Sequence, residues 1–184
     1  MRQRPTRLPS LWLISDARND AALETALARL PRGSGLVFRH YHLPEAGRRA
    51  RFGVLARLAR RHGPHVVLAG SEAQARRWGA DGAYGAPRVL GRRKGGLRLA
   101  AAHSLTELRR AGGVDAVLLS PVFPTRSHPG AKGLGAVRFR LLAARSPVPV
   151  AALGGMDGAR ARRLKWPAWA AIDAFCDKAT RRIP

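Results

Sequence analysis

Residues 115–158 read DAVLLSPVFPTRSHPGAKGLGAVRFRLLAARSPVPVAALGGMDG, and this stretch carries the clearest signal of fold class. An apolar run is followed by a polar, glycine-punctuated loop, an amphipathic segment and a second apolar run that ends in Gly154-Gly155. We predict a strand at 115–119, a helix at 137–144 and a strand at 148–153. Two strands joined through a helix lie parallel in one sheet, so the pattern predicts a parallel α/β protein.

The same alternation runs along the whole chain. Short runs of Val, Leu and Ala alternate with segments whose apolar residues recur at helical spacing, such as Ala22, Leu23, Ala26 and Leu27. The predicted strands are 11–15, 35–39, 65–69, 80–84, 97–102, 115–119, 148–153 and 168–172. The predicted helices are 20–30, 46–62, 72–79, 105–111, 137–144 and 157–164, with none at 87–96. Eight strands, six of them followed by a predicted helix, predict a single, slightly short (β/α)8 TIM barrel over residues 1–184, with its functional face at the carboxyl ends of the strands.

The charge of the chain narrows the choice of partner. With 34 Lys and Arg against 11 Asp and Glu, the formal net charge is +23, which would attract nucleic acid. The arginines are scattered over nearly every predicted helix instead of gathering on one face, so we expect no dedicated nucleic-acid partner, although duplex DNA remains an alternative. No apolar run approaches the ~18 residues of a membrane span, and the lone Cys176 has no partner for a disulfide. We therefore expect a cytoplasmic protein.

Two loops are candidate phosphate sites. The loop after the predicted strand 115–119 carries Thr125 and Ser127, and the strand 148–153 ends in Gly154 and Gly155. Glycines let a phosphate approach the backbone, and the following helix would add its positive N-terminus. Because the two strands are neighbours in the predicted barrel, the loops should form one pocket. The alternative is that Gly154-Gly155 is only a tight turn.

Six short motifs carry a resemblance to a known family. They are LWLISD (11–16), LVFRHYHL (36–43), GADGAYG (79–85), AAHS (101–104), SPVFPT (120–125) and PVAALGGM (149–156). Together they resemble the thiamine phosphate synthase family, which includes thiazole tautomerases. The resemblance implies a TIM barrel that joins a pyrimidine methyl diphosphate to a thiazole phosphate with Mg²⁺ and releases pyrophosphate.

The resemblance also implies roles for individual residues. Arg39 matches a diphosphate-binding arginine and His103 a retained histidine, and these two are the candidate catalytic residues. The thiazole phosphate would be held by Thr125, Ser127, Gly154 and Gly155. The family lysine that ends the loop falls at His128, with Lys132 as a possible substitute.

Other family positions are changed in this chain. The Asn-Asp pair that ends the third strand, whose Asp binds Mg²⁺, is replaced by Ala69-Gly70, so the Mg²⁺ expected from the family lacks its ligands and no metal residue is assigned. Tyr84 replaces a histidine. Pro121 replaces the histidine of the tautomerases, which disfavours that activity. We therefore expect a synthase with a degenerate Mg²⁺ and diphosphate site or, alternatively, a noncatalytic or regulatory phosphate-ligand binder of the same family. The oligomeric state is left open.

Overall fold

The computed structural model describes residues 7–90, 95–127, 130 and 132–175. Eight parallel strands form a closed barrel in which each strand pairs with the next and the eighth pairs with the first. The strands are β1 Leu11–Ile14, β2 Gly35–Phe38, β3 His65–Ala69, β4 Gly82–Tyr84, β5 Leu97–Ala102, β6 Ala116–Leu119, β7 Val150–Ala152 and β8 Trp169–Ala171. The predicted single (β/α)8 TIM barrel is confirmed.

The helices lie between successive strands. They are a 3-10 helix Ala17–Ala22, α1 Leu23–Arg29, α2 Glu45–His62, α3 Glu72–Trp78, α4 Pro87–Leu90, α5 Leu105–Arg109, α6 Gly135–Ala143 and α7 Gly158–Leu164. None of those in the described part of the chain is long and apolar enough to cross a membrane.

Two stretches differ from the sequence-based expectation. The helix predicted at 20–30 is divided, because Asp16 and Asn19 form a capping box that starts a 3-10 helix before α1. The prediction of no helix at 87–96 is wrong for its first four residues, where α4 begins at a proline. A proline fits the first helical position because its missing N–H would have no partner there.

The apolar residues form two layers, because alternate residues of a strand point to opposite faces. One layer fills the barrel interior and includes Trp12, Val37, Val67 and Leu118. The other lies between the strands and the helices and is larger. Its bulkiest members are Phe38, Phe52 and Phe139.

Serine caps begin two of the helices. The Ser71 side chain accepts from the Gln74 amide at the start of α3, and the Ser104 side chain accepts from the Glu107 amide at the start of α5. The Glu107 carboxylate in turn accepts from the amide of His103 at 2.6 Å. This contact holds the backbone of a candidate site residue at the carboxyl end of β5.

Candidate active site

A cavity of about 530 Å³ opens at the carboxyl ends of the strands. Its lining comes from the loops after β2, β4, β5, β6, β7 and β8, so it occupies the face where a TIM barrel places its active site. Six of the eight candidate site residues line it. They are Arg39, His103, Thr125, Ser127, Gly154 and Gly155.

The loops after β6 and β7 form one continuous wall of this cavity. The amide of Val122 donates to the Leu153 carbonyl at 2.8 Å, and the amide of Phe123 donates to the Gly154 carbonyl at 3.0 Å. Gly154 has a φ of +93°, and a Cβ there would lie 2.6 Å from the Cα of Pro121. Close packing of the two loops therefore requires glycine at position 154, whatever ligand binds beside it.

The turn after β7 has two backbone carbonyls that are hydrogen-bonded within the protein. The Gly154 carbonyl accepts from the Phe123 amide, and the Gly155 carbonyl accepts from the Arg160 guanidinium. These two hydrogen bonds use the carbonyls of the glycines and not their amides. Asp157 caps α7, its carboxylate accepting from the Arg160 amide at 2.8 Å. An anion at this turn would meet that carboxylate. The favourable effect expected from the helix N-terminus is therefore offset by that carboxylate.

The loop after β6 is tied to the rest of the rim by arginines. The Arg18 guanidinium donates to the Ser127 hydroxyl at 2.8 Å, and the Ser127 amide lies 3.3 Å from the Thr125 hydroxyl. Asp173, after β8, lies 3.2 Å from the Arg126 guanidinium and 3.7 Å from that of Arg18. Sequence reasoning missed Arg18 and Arg126. The position of Arg126 between Thr125 and Ser127 was the only available signal.

Arg39 enters the cavity from β2, which lies across the barrel from β6 because three strands lie between them on either side. Its amide donates to the Ser15 hydroxyl oxygen at 2.8 Å, and its guanidinium lies 3.9 Å from the Asp16 carboxylate. Its guanidinium carbon lies 5.7 Å from the ring centroid of Tyr41. Burial alone would raise the pKa of Asp16, but the hydrogen bond from Arg18 and the charges of Arg18 and Arg39 lower it. Asp16 therefore stays ionised beside the Arg39 guanidinium.

His103 lies beside the start of the β6 loop. Its Nδ1 is 3.1 Å from the Ser120 carbonyl oxygen and 3.2 Å from the Ser120 hydroxyl. With a proton on Nδ1 the ring donates to the Ser120 carbonyl, and in the other tautomer Nδ1 accepts from the Ser120 hydroxyl. Tyr84 also lines the cavity, and burial raises the pKa of its phenol, which keeps it protonated at neutral pH.

The remaining two candidates are His128 and Lys132. His128 falls outside the described residues. Lys132 belongs to the loop after β6, but it is exposed and does not line the cavity. It precedes Gly133, which packs against the backbone of Val122 and Phe123.

The acidic groups near the cavity are already paired with arginines. Asp16 pairs with Arg18 at 2.9 Å, and Asp173 and Asp157 also face guanidinium groups. Among the described residues no three His, Cys, Asp or Glu side chains group as a metal site. Where the family resemblance places its Asn-Asp pair, the Ala69 carbonyl accepts from the buried Arg48 guanidinium at 2.6 Å.

Comparison with solved structures supports the same fold. The barrel is similar to the crystal structure of thiamine phosphate pyrophosphorylase from Bacteroides thetaiotaomicron, with a TM-score of 0.62 and 16% identity over 95% of this chain and 89% of that chain. It is also similar to FabK from Thermotoga maritima (TM-score 0.67, 15% identity, 91% of this chain and 59% of that one). A HpcH/Hpal aldolase/citrate lyase family protein from Burkholderia cenocepacia J2315 matches with a TM-score of 0.63 and 16% identity, over 91% and 89% of the two chains.

These structural likenesses are all below 25% identity and show the fold alone. No significant match exists among curated proteins. A family model is more specific, because the model for thiamine monophosphate synthase matches residues 11–170, which include every candidate site residue. The chain therefore belongs to the thiamine monophosphate synthase family.

Proposed function

We propose that the cavity binds a thiazole phosphate at the loops after β6 and β7 and a pyrimidine methyl diphosphate near Arg39, and that the chain couples the two. The observation that carries this proposal is that one cavity contains both ends of such a site. Hydroxyls and the Gly154-Gly155 turn line one wall, and a guanidinium enters from the strand across the barrel. Membership of the family supports the same pair of ligands.

The coupling breaks the bond between the pyrimidine methylene carbon and the diphosphate oxygen, and the electron pair leaves with pyrophosphate. The lone pair of the thiazole nitrogen then forms the new carbon–nitrogen bond. Negative charge grows on the departing diphosphate, so a fixed guanidinium at Arg39 would stabilise it through paired, charge-assisted hydrogen bonds. His103 lies in the same cavity and would contact the ligands through its ring.

The Mg²⁺ that the family resemblance implies does not fit the described residues. Mg²⁺ takes oxygen ligands and usually needs at least one carboxylate besides the substrate phosphates. The carboxylates of Asp16, Asp157 and Asp173 are occupied by arginines, and β3 ends in Ala69 and Gly70. Removing one preorganised charge-stabilising group typically costs about 10²–10³ in turnover. We expect coupling far slower than in a fully equipped enzyme.

A noncatalytic phosphate-ligand binder is the second candidate. The pairing of the carboxylates with arginines favours this candidate. It removes the ligands of a Mg²⁺ that would assist departure of the diphosphate, and it leaves the loops after β6 and β7 unchanged. Reinstating an acid at Gly70 is not a simple rescue. The φ of this residue is +149°, and a Cβ would overlap the side-chain oxygen of Gln74.

Incubation with both substrates, with and without Mg²⁺, followed by detection of thiamine phosphate, tests the proposal. Calorimetry with the thiazole phosphate alone measures the binding half. We expect saturable binding that Thr125→Val weakens about ten- to a hundredfold, since a hydrogen bond to a charged group contributes about 1.5–3 kcal/mol. We also expect slow product formation that Arg39→Ala abolishes. Lys132→Ala, an exposed position outside the cavity lining, is the matched control and should change neither.

The possible results separate the candidates. Binding without product would identify the noncatalytic binder. Absence of any binding of the thiazole phosphate would contradict both. Rapid, Mg²⁺-dependent turnover by the unmodified chain would show that the diphosphate site is not degenerate.

A further inference from the structure

A row of side chains linked by hydrogen bonds lies next to Arg39. Ser15 follows β1 and His40 follows β2 by two residues, and both are almost fully buried. The Ser15 hydroxyl lies 2.8 Å from Nδ1 of His40, and Nε2 of His40 lies 2.7 Å from the Asp20 carboxylate. The Arg51 guanidinium donates to the same carboxylate at 2.7 Å.

The direction of each hydrogen bond follows from the chemistry of its ends. Burial would raise the pKa of Asp20, but the hydrogen bonds from His40 and Arg51 lower it, so the carboxylate is ionised and only accepts. Nε2 of His40 must then carry the proton. Nδ1 of the neutral ring is an acceptor and takes the hydroxyl proton of Ser15. The Ser15 oxygen keeps its lone pairs for the amide of Arg39, 2.8 Å away.

The backbone at this corner is held in an uncommon conformation. His40 has a φ of +41°, in the left-handed region that few non-glycine residues adopt. Its ring stacks on Phe38 at a centroid distance of 4.7 Å, and both of its nitrogens are engaged. Such conformations persist where the surroundings over-determine them, and they concentrate next to functional residues.

We propose that His40, acting with Ser15 and Asp20, is a positioning residue that fixes the backbone of Arg39 and so directs its guanidinium into the cavity. His40 does not line the cavity. Its effect passes through the Ser15 oxygen, which anchors the Arg39 amide. This inference rests on the proposed function in one respect, the role of Arg39 as a ligand contact.

The arrangement depends on a neutral imidazole. Burial lowers the pKa of His40, against the opposing hydrogen bond and charge of Asp20. The other ionisable groups that face it are Arg51 from α2 and His42 from the same loop, whose charges also oppose protonation, while Glu24 from α1 pairs with the far side of Arg51. If His40 gained a proton, Nδ1 would become a donor. The Ser15 hydroxyl proton would lose its acceptor, and the anchor of Arg39 would loosen.

The test measures binding of inorganic pyrophosphate by calorimetry from pH 5 to 8, for the unmodified chain and four variants. Ser15→Ala removes the anchor oxygen, and His40→Asn keeps an acceptor for Ser15, tolerates a positive φ and does not titrate. Arg39→Ala removes the ligand contact. Phe139→Leu, in the outer layer, is a destabilised control with an unaltered cavity.

We expect affinity to fall about tenfold in Arg39→Ala and several-fold in Ser15→Ala, and to stay near the unmodified value in Phe139→Leu. His40→Asn should bind normally at pH 8 and should lose the extra weakening that the unmodified chain shows at low pH. Because pyrophosphate itself titrates, the quantity compared at each pH is the ratio of the affinity of the unmodified chain to that of His40→Asn.

An ¹⁵N NMR titration of the imidazole supplies a readout that needs no ligand. It should show the Nε2–H tautomer, and the Arg39 amide shift should follow the titration of His40. Binding that Arg39→Ala weakens but Ser15→Ala does not would overturn the positioning role and leave the proposed function intact. Binding that Arg39→Ala does not change would overturn both. An Nδ1–H tautomer, or an Arg39 amide indifferent to His40, would overturn the positioning role whether or not pyrophosphate binds.

Discussion

Gly154→Ala probes the contact between the loops after β6 and β7. The added Cβ would lie 2.6 Å from the Cα of Pro121 and 3.2 Å from the amide nitrogen of Val122. Both are backbone atoms, so neither can rotate away as a flexible side chain would. The φ of +93° adds the strain of a conformation that L-residues rarely adopt.

The two effects give the expected magnitude. A left-handed conformation costs an L-residue about 1–2 kcal/mol, and overpacking costs about 1–3 kcal/mol. The free energy of unfolding should therefore fall by about 2–5 kcal/mol. For a chain of this size each kcal/mol corresponds to about 2–4 °C, so the melting temperature should fall by about 4–20 °C.

Two neighbouring glycines provide matched controls in the turn before β6. Gly113 has a φ of +82° and nothing within 4 Å of an added Cβ, so Gly113→Ala should show the strain alone, about 1–2 kcal/mol. Gly112 has open space and no positive φ, so Gly112→Ala should be neutral or stabilise by up to about 1 kcal/mol.

Urea denaturation of the three variants at one temperature measures these differences. The excess cost of Gly154→Ala over Gly113→Ala isolates the contact with Pro121. If Gly154→Ala is no more destabilised than Gly113→Ala, the loops after β6 and β7 do not approach each other closely, and the placement of these loops as one wall of the cavity is wrong.

Three further predictions concern the stability of the barrel. Phe139 is fully buried and packs edge to face on Trp166 at 5.1 Å, so Phe139→Ala should lower the unfolding free energy in urea by about 3–5 kcal/mol, and a loss below about 1 kcal/mol would contradict its placement. Asp157→Ala should cost about 0.5–2 kcal/mol by removing the cap of α7, whereas Asp157→Asn keeps a side-chain oxygen and should cost less; equal losses would show that the cap is not the cause. Burial lowers the pKa of His40 in the folded chain, so the unfolded chain takes up a proton first, at its ordinary pKa of about 6.5. The stability contributed by the neutral ring should be complete above that pH and decline as the pH falls towards the lowered pKa, and a rise over this range relative to His40→Asn would show the sign to be wrong.

Much of the fold follows from local sequence. The strands at 65–69 and 97–102 have the predicted bounds, and Ser71 and Ser104 cap the helices that follow them. Apolar runs and capping contacts involve residues within a few positions, so they can be read without knowing the tertiary structure. Even the division of the predicted helix at 20–30 had a local signal, in the spacing of Asp16 and Asn19.

The same reasoning located part of the cavity lining. A parallel barrel brings the carboxyl ends of its strands to one face, so Arg39, His103 and Thr125 could be expected together from the order of the strands alone. Sequence reasoning also treated Gly154 as a ligand contact or a tight turn. Only the structure showed that Pro121 occupies the space of a side chain there.

The eight strands and the face that carries the site follow from sequence pattern, and the family resemblance adds the replacement of the Asn-Asp pair by Ala69-Gly70. Which polar side chains meet was visible only in the folded barrel, as in the contact of Arg18 with Ser127, 109 positions along the chain, and of His40 with Asp20. Periodicity specifies the side of an element that is buried, whereas pairing between elements depends on barrel closure and on the reach of each side chain. Those distances exist only in the folded chain.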